Sequence, residues 1–288
     1  MNNIRKPKWL ASKTKGSLKS REILRKLRSY NLHTVCESAK CPNRGECFDR
    51  GTATFMILGS TCTRNCTFCA VDKNSDNLFE PDILEPENIA KIVNVMNLKH
   101  VVITTVTRDD LTDGGAEQFV KVIQTIREKC SKEVSIEVLI SDLQGNDDAL
   151  QKILDAKPDI LNHNVETIQR LYSQVRPMAD YNLSLNLLKK AKKENILTKS
   201  GFMVGLGETK QEIIKLMEDL KKSKVDIVTI GQYIAPSANH YPVKEYIHPD
   251  IFSEYKQEGI QTGFQLVESG PLVRSSYFAE RAKEFIKS

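Results

Sequence analysis

The chain has 288 residues, 40% hydrophobic and 27% charged, with a net charge of +5. That size fits one large or two ordinary domains, and the hydrophobic share suits a buried core rather than a disordered chain. No run approaches the roughly 18 apolar residues of a membrane span, and no apolar segment follows the basic N-terminus, so a secretory signal is not expected. The expected setting is the cytoplasm, where thiols stay reduced and grouped cysteines bind metal; the odd count of seven cysteines also argues against a disulfide framework.

Residues 1–28 carry ten Lys or Arg and one acid, Glu22, so this segment is +9 and the remainder −4. It reads as a solvated arm or a dock for an acidic protein. Nucleic acid is disfavoured, because only Trp9 and Tyr30 lie near it and single-strand binding interleaves aromatics with charge. A helix is expected over Leu18–Leu27, followed by a loop with the spacing Cys36-x4-Cys41-x5-Cys47.

From residue 53 onward, short β-branched runs alternate with helical patterns. The runs are Ala53–Leu58, Val101–Val106, Val134–Ile140, Asp159–His163, Lys199–Val204 and Val225–Ile230. Between them, Ile89, Ile92, Val93 and Met96 fall at helical spacing, as do Phe119, Val120, Ile123 and Ile126, and Ile213, Leu216, Met217 and Leu220. Six strands each followed by a helix read as parallel βαβ units, and continuous apolar strands imply helices on the faces. The expected fold is α/β, a partial (β/α)6 TIM-like barrel, although a doubly wound sheet shares the local pattern. A Pro-containing loop (Tyr233–Pro249), a helix around Asp250–Glu258 and a tail follow. The expected organisation is an N-terminal extension over 1–50, a barrel over 51–235 and a C-terminal extension over 236–288.

Polar residues gather after the strands. They are Thr107 to Asp110, then Ser141 and Asp142, then Asn162, His163, Asn164 and Glu166, then Gly205, Gly207 and Glu208. The C-terminal strand ends form the active-site face of such folds. One Asp or Glu there is more simply a helix cap, but four consecutive loaded loops point to a site. Cys62-x3-Cys66-x2-Cys69 lies just past the first strand. Three thiolates on so short a loop hold three irons of a cubane and leave one open to an amine and a carboxylate, whereas most clusters take four cysteines. A zinc knuckle would want a second Cys or His pair, and none follows Cys69. Cys130, at the end of a predicted helix, reads as an incidental thiol.

The C-x3-C-x-aromatic-C motif after the first strand resembles the radical S-adenosylmethionine superfamily. The resemblance implies that Cys62, Cys66 and Cys69 hold a 4Fe-4S cluster whose open iron binds S-adenosylmethionine, with Phe68 beside the cofactor. Gly114-Gly115, after Thr107-Arg-Asp-Asp-Leu-Thr-Asp113, resembles the segment near the methionyl amine. Gly201-Phe-Met-Val-Gly205-Leu-Gly-Glu208 resembles the strand motif beside adenine. Thr107, Glu137, Asn164, Arg176, Gly205 and Glu208 are further expected cofactor contacts; Arg176 reads equally as a surface ion-pair residue.

Four further segments resemble the lipoyl synthase family: Pro7-Lys-Trp-Leu10, Val35 through Cys47, Asn162-His-Asn-Val-Glu-Thr167, and Gly270-Pro-Leu-Val-Arg-Ser-Ser-Tyr277. This match covers nearly the whole chain. It implies that Cys36, Cys41 and Cys47 hold an auxiliary 4Fe-4S cluster completed by a tail serine, Ser276, with Ser275 the alternative, and Arg274 bracing them. The implied reaction inserts sulfur at carbons 6 and 8 of an octanoyl chain on a lysine of a lipoyl carrier domain. Two S-adenosylmethionine are used and the auxiliary cluster donates the sulfur. Those C–H bonds have no acid character, so general acid–base catalysis cannot activate them and a radical is required. Implied partners are a low-potential electron donor such as a flavodoxin or ferredoxin and an iron–sulfur carrier for cluster repair. The competing readings are another radical enzyme with an auxiliary cluster and a non-catalytic iron–sulfur electron-transfer protein.

Overall fold

A computed structural model describes residues 5–10, 17–38, 41, 43–49 and 54–286. Lys13 and Lys15 of the basic arm, Ala39, Lys40 and Pro42 of the first triplet's run, Ala53 and the expected boundary at 50–51 lie outside the described residues.

One sheet organises the chain. Its strands are β1 (His33–Thr34), β2 (Thr54–Ile57), β3 (His100–Thr105), β4 (Ser135–Leu139), β5 (Ile160–Asn162), β6 (Leu197–Val204), β7 (Ile227–Gln232) and β8 (Leu266–Gly270). They lie side by side in sequence order, from β1 at one edge to β8 at the other. All neighbouring pairs are parallel except β1 with β2. The sheet therefore curls as an open, TIM-like partial barrel.

The six expected strands are β2 to β7. Two more flank them. β8 extends the parallel series into the C-terminal extension. Its sequence, Leu-Val-Glu-Ser-Gly, has too few apolar residues to announce a strand, and the exposed edge of β7 supplies the template.

Ten α-helices accompany the strands among the described residues: α1 (Leu18–Ser29), α2 (Val35–Ser38), α3 (Arg44–Asp49), α4 (Glu85–Val95), α5 (Ala116–Lys129), α6 (Asp147–Asp155), α7 (Tyr172–Val175), α8 (Tyr181–Lys193), α9 (Lys210–Lys222) and α10 (Pro249–Thr262). The long ones cover the outside of the sheet through single apolar faces. In α5 the face is Phe119, Val122, Ile123 and Ile126. In α9 it is Ile213, Leu216, Met217 and Leu220, behind a reciprocal cap between Thr209 and Glu212. None of the described helices is long and apolar enough to cross a membrane. In the N-terminal extension α1 buries Ile23 and Leu27 and leaves Arg21, Arg25 and Arg28 exposed. Lys26 pairs with Glu22 and Arg28 with Glu37.

The tail after β8 joins the two ends of the barrel. The Val273 carbonyl sits so close to Gly231 of β7 that any Cβ there would collide with it. Farther on, a 3-10 turn over Ala279–Phe285 places Ala282 against Ile160, Leu197 and Ile227, the first residues of β5, β6 and β7. The tail thus begins beside the C-terminal half of β7 and ends by closing the opposite mouth.

Candidate active site

The loop leaving β2 carries Cys62, Cys66 and Cys69, all half-buried. Their sulfurs lie within electrostatic reach of one another: Cys62 acts on Cys66, and both act on Cys69. Burial raises the Cys66 thiol, against the pull of the Arg176 guanidinium, and pushes Cys69 up to about 11. Thiols so placed become thiolates only when a cation joins them, as cluster iron would.

The loop is held from several sides. The Cys62 amide donates to the Asp72 carbonyl at 2.8 Å, and the Thr67 amide to the Val175 carbonyl at 3.0 Å. Thr107 takes part through its carbonyl, which accepts from both the amide and the hydroxyl of Thr63 at 3.0 Å. Arg64, between the first two cysteines, is 5% exposed and grips two carboxylates. It donates to Asp109 at 2.6 and 2.9 Å and to Asp142 at 2.7 and 2.5 Å. Burial alone would raise the Asp142 carboxyl; Arg64 outweighs it and holds Asp142 low. One guanidinium fork therefore ties the cysteine loop to the loops after β3 and β4.

The other expected residues divide between this face and roles elsewhere. Phe68 packs half-buried against the main core. Gly114 and Gly115 lie in the left-handed region at φ 60° and 90°, turning the chain into α5. A side chain at Gly115 would meet Leu58, the residue from which the cysteine loop departs, so only glycine fits. Gly205 accepts the Lys244 amide at 2.9 Å, under the loop after β7. Glu208 caps its own turn, accepting from the Gly205 amide at 2.5 Å and the Leu206 amide at 2.9 Å.

Arg176 lies buried rather than at the surface. It donates to the Asn164 carbonyl at 3.0 Å and the Tyr172 hydroxyl at 3.1 Å, and its Nε has no partner among the described residues. Asn164 donates to Glu166 Oε1 at 3.0 Å. Glu166 itself sits at φ 65°, a strained geometry for a non-glycine, and lets the chain beyond β5 pair again with β6. His163 donates from Nδ1 to the Ile140 carbonyl at 2.9 Å, and burial lowers its pKa to about 4, so its ring is neutral.

Glu137 sits apart from this face. It occupies the middle of β4, fully buried, with its carboxylate shared by Lys199 at 3.0 and 3.1 Å, Asn162 at 2.7 Å and His100 at 3.5 Å. Burial pushes this carboxyl up, but Lys199, His100 and Asn162 overcome that and hold it at about 2.

The first triplet gathers beside the start of β2. Cys36 lies buried in α2 and Cys47 in α3, and the Cys41 amide donates to the Cys36 carbonyl at 3.2 Å. Burial first, then the nearness of Cys41 and Cys47, pushes Cys36 up to about 12. The tail comes alongside. Asn43 donates to the Leu272 carbonyl at 2.5 Å, and the Tyr277 hydroxyl donates to Glu46 at 3.1 Å. The Thr54 amide donates to the Cys36 sulfur, and the Thr54 hydroxyl donates to Ser276 Oγ at 2.8 Å. Ser275 faces the barrel interior, bonded to Asn162 and Asn164. Arg274 lies within electrostatic reach of both Cys41 and Glu166, between the two sites. Cys130 is remote from both triplets, its thiol on the Ala90 carbonyl of α4.

Two features escape the motif reading. Arg64 carries a readable signal, an arginine inside the cysteine spacing with aspartates at two strand ends. The contacts of Asn43 with Leu272 and Thr54 with Ser276 span 229 and 222 residues, and no local pattern announces them.

Comparison with known proteins agrees with this geometry. The model of the Radical SAM superfamily matches residues 56–220, from β2 to α9. A lipoyl synthase of Caldicellulosiruptor bescii is 51% identical, with 100% of this chain and 99% of that protein covered. One from Alkaliphilus metalliredigens is 53% identical over 99% of this chain and 98% of its own length. Among solved structures, methylornithine synthase shares the fold with a TM-score of 0.57 at 14% identity, covering 90% of this chain and 80% of that one. SuiB of Streptococcus suis bound to S-adenosylmethionine does so at 0.57 and 12%, covering 78% and 53%. With this identity along its whole length and the superfamily's cysteine loop at the head of an open barrel, the chain belongs to the lipoyl synthase family of radical S-adenosylmethionine enzymes.

Proposed function

We propose that Cys62, Cys66 and Cys69 hold the 4Fe-4S cluster that works with S-adenosylmethionine, and that Cys36, Cys41, Cys47 and Ser276 hold a second, sulfur-donating 4Fe-4S cluster. Membership of the family makes the chain a sulfur-inserting enzyme acting on the octanoyl chain of a lipoyl carrier domain. When bound, the clusters and S-adenosylmethionine supply the electron, the hydrogen-abstracting radical and the sulfide that unactivated C–H bonds at carbons 6 and 8 demand.

The chain's own residues hold and shield. Thr107 and Arg64 keep the cysteine loop seated on the strand ends. We assign Phe68, Gly114, Gly115, Asn164, Arg176 and Gly205 to the walls of the S-adenosylmethionine site. The buried, unpartnered Arg176 Nε suits a carboxylate of that cofactor. Glu137 and Glu208 have their carboxylates engaged elsewhere and shape the site from behind.

The observation that carries the second cluster is Thr54, whose amide meets Cys36 and whose hydroxyl meets Ser276. A serine oxygen is a poor match for soft iron–sulfur chemistry, which suits a cluster that must come apart to give up sulfur. Reconstituted protein is expected to carry about eight irons, two cubanes, and to convert an octanoyl-lysyl peptide to its lipoyl form. A ceiling of about four irons overturns the second cluster. The remaining partners we assign are a flavodoxin or ferredoxin as reductant and an iron–sulfur carrier that rebuilds the spent cluster. Cysteines grouped in two triplets, rather than spread as a disulfide framework, support work in a reducing cytoplasm.

A further inference from the structure

Ser275 and Ser276 are neighbours, yet their hydroxyls serve opposite sides of the tail. Ser276 Oγ accepts from Thr54 Oγ1 at 2.8 Å, on the side of Cys36. Ser275 Oγ accepts from Asn162 Nδ2 at 2.9 Å and donates to Asn164 Oδ1 at 3.0 Å. Both capacities of that hydroxyl are used, and each by a group of the matching kind.

The receptor for Ser275 is itself fixed. Asn162 is fully buried, and the same Nδ2 donates to Glu137 Oε1 at 2.7 Å. Glu137 is held in turn by Lys199 through both carboxylate oxygens. A hydrogen-bonded ion pair at this depth does not shift without leaving an uncompensated charge. Asn164 is steadied from its other end by Glu166. The tail thus meets a rigid polar socket inside the barrel, one residue before the hydroxyl that faces the first triplet.

We propose that Ser275 is a positioning residue: its hydroxyl, seated between Asn162 and Asn164, fixes the register of the tail so that Ser276 alone reaches the site of Cys36. Ser275 and Ser276 are the two middle residues of a tight turn closed by the Tyr277 amide on the Arg274 carbonyl at 2.9 Å, so their side chains leave the chain in different directions. A slip of one residue would put Ser276 in the socket and pull Tyr277 off Glu46. Asn43 on Leu272 and Gly231 under Val273 act on backbone and do not distinguish one side chain from the next, whereas Tyr277 on Glu46 holds the far side of the turn and leaves Ser275 to hold the barrel side. This inference rests on Ser276 as the fourth ligand of the auxiliary cluster.

The test compares Ser275→Ala, Ser275→Thr and Ser276→Ala in the full chain carrying both clusters. Two readouts are used besides lipoyl formation: the Mössbauer signature of the auxiliary cluster, and amide hydrogen exchange over residues 272–278. Ser275→Ala is expected to shift the signature toward that of Ser276→Ala and to speed exchange along the tail by about tenfold, the effect of losing one to two hydrogen bonds. Ser275→Thr, which keeps a hydroxyl, is expected to restore both. An unchanged signature and unchanged exchange in Ser275→Ala, alongside an altered signature in Ser276→Ala, overturns the positioning role and leaves the ligand reading standing. A Ser276→Ala signature identical to that of the unsubstituted enzyme sinks the ligand reading, and the positioning role with it. Tail exchange that quickens under Ser276→Ala but not under Ser275→Ala also overturns it.

Discussion

The two cysteine triplets are built in opposite ways. Cys62, Cys66 and Cys69 come from one eight-residue loop at the mouth of β2, and their support comes from neighbouring strand ends: Thr107 after β3, Arg64 reaching Asp109 and Asp142, Val175 behind Thr67. Cys36 and Cys47 sit on two short helices outside the barrel with Cys41 between them, and Ser276 comes alongside, on Thr54, from more than two hundred residues away. A local site on a rigid rim suits a device that fires repeatedly. A site assembled from distant pieces suits one that opens, loses sulfur and is rebuilt.

Substitutions sharpen or break that contrast. The largest effect is expected from Cys62→Ala, which should reduce cleavage of S-adenosylmethionine to background, read as 5′-deoxyadenosine formed under a strong reductant. Retained cleavage would break the comparison at once. Ser276→Ala should lower lipoyl formation by about a hundredfold, as loss of a metal-site group does, and leave cleavage within a few-fold. Equal loss of both activities would mean the two sites are not separable.

Arg64→Leu tests the rigid rim. It strands the Asp109 and Asp142 carboxylates, and stability in urea unfolding should fall by about 3–5 kcal/mol. Arg64→Lys should fall between, since an ammonium cannot fork onto two carboxylates.

The smallest effect concerns Glu85, which accepts from Gln118 at 2.8 Å and from the Leu58 amide at 3.3 Å, behind the cysteine loop. Burial pushes this carboxyl up to about 7. The folded chain therefore holds the proton more tightly than the unfolded chain, and this group's contribution to stability declines as pH rises from about 4.5 to about 7. Glu85→Gln should flatten that slope by up to about 3 kcal/mol in melts across this range. An unchanged slope would remove Glu85 from the support of the loop.

The sequence makes the barrel and its radical loop legible because their information is short-range. Apolar runs alternate with helical faces, and three cysteines stand where a strand ends. β8 escapes because Leu266 to Gly270 becomes a strand only against the finished edge of β7. Glu137 is expected to touch the cofactor, yet its carboxylate is taken by Lys199 on β6, a buried countercharge that no local pattern reveals. The convergence of Thr54, Cys36 and Ser276 needs the completed fold, and only family resemblance points to the serine beforehand.

The tail's path also sets an order of manufacture. Chains emerge from the ribosome N-terminus first, at about 5–20 residues per second. By the time Val204 of β6 has emerged, all six cysteines of the triplets and most of the sheet are in place. Ser276 follows 72 residues later, and Ala282, which plugs the lower mouth, later still. On the proposed assignment, the radical-generating pocket thus closes while the sulfur store still lacks one side. A nascent or prematurely terminated chain would resemble an engine without fuel, able to bind its first cluster and spend cofactor without making product.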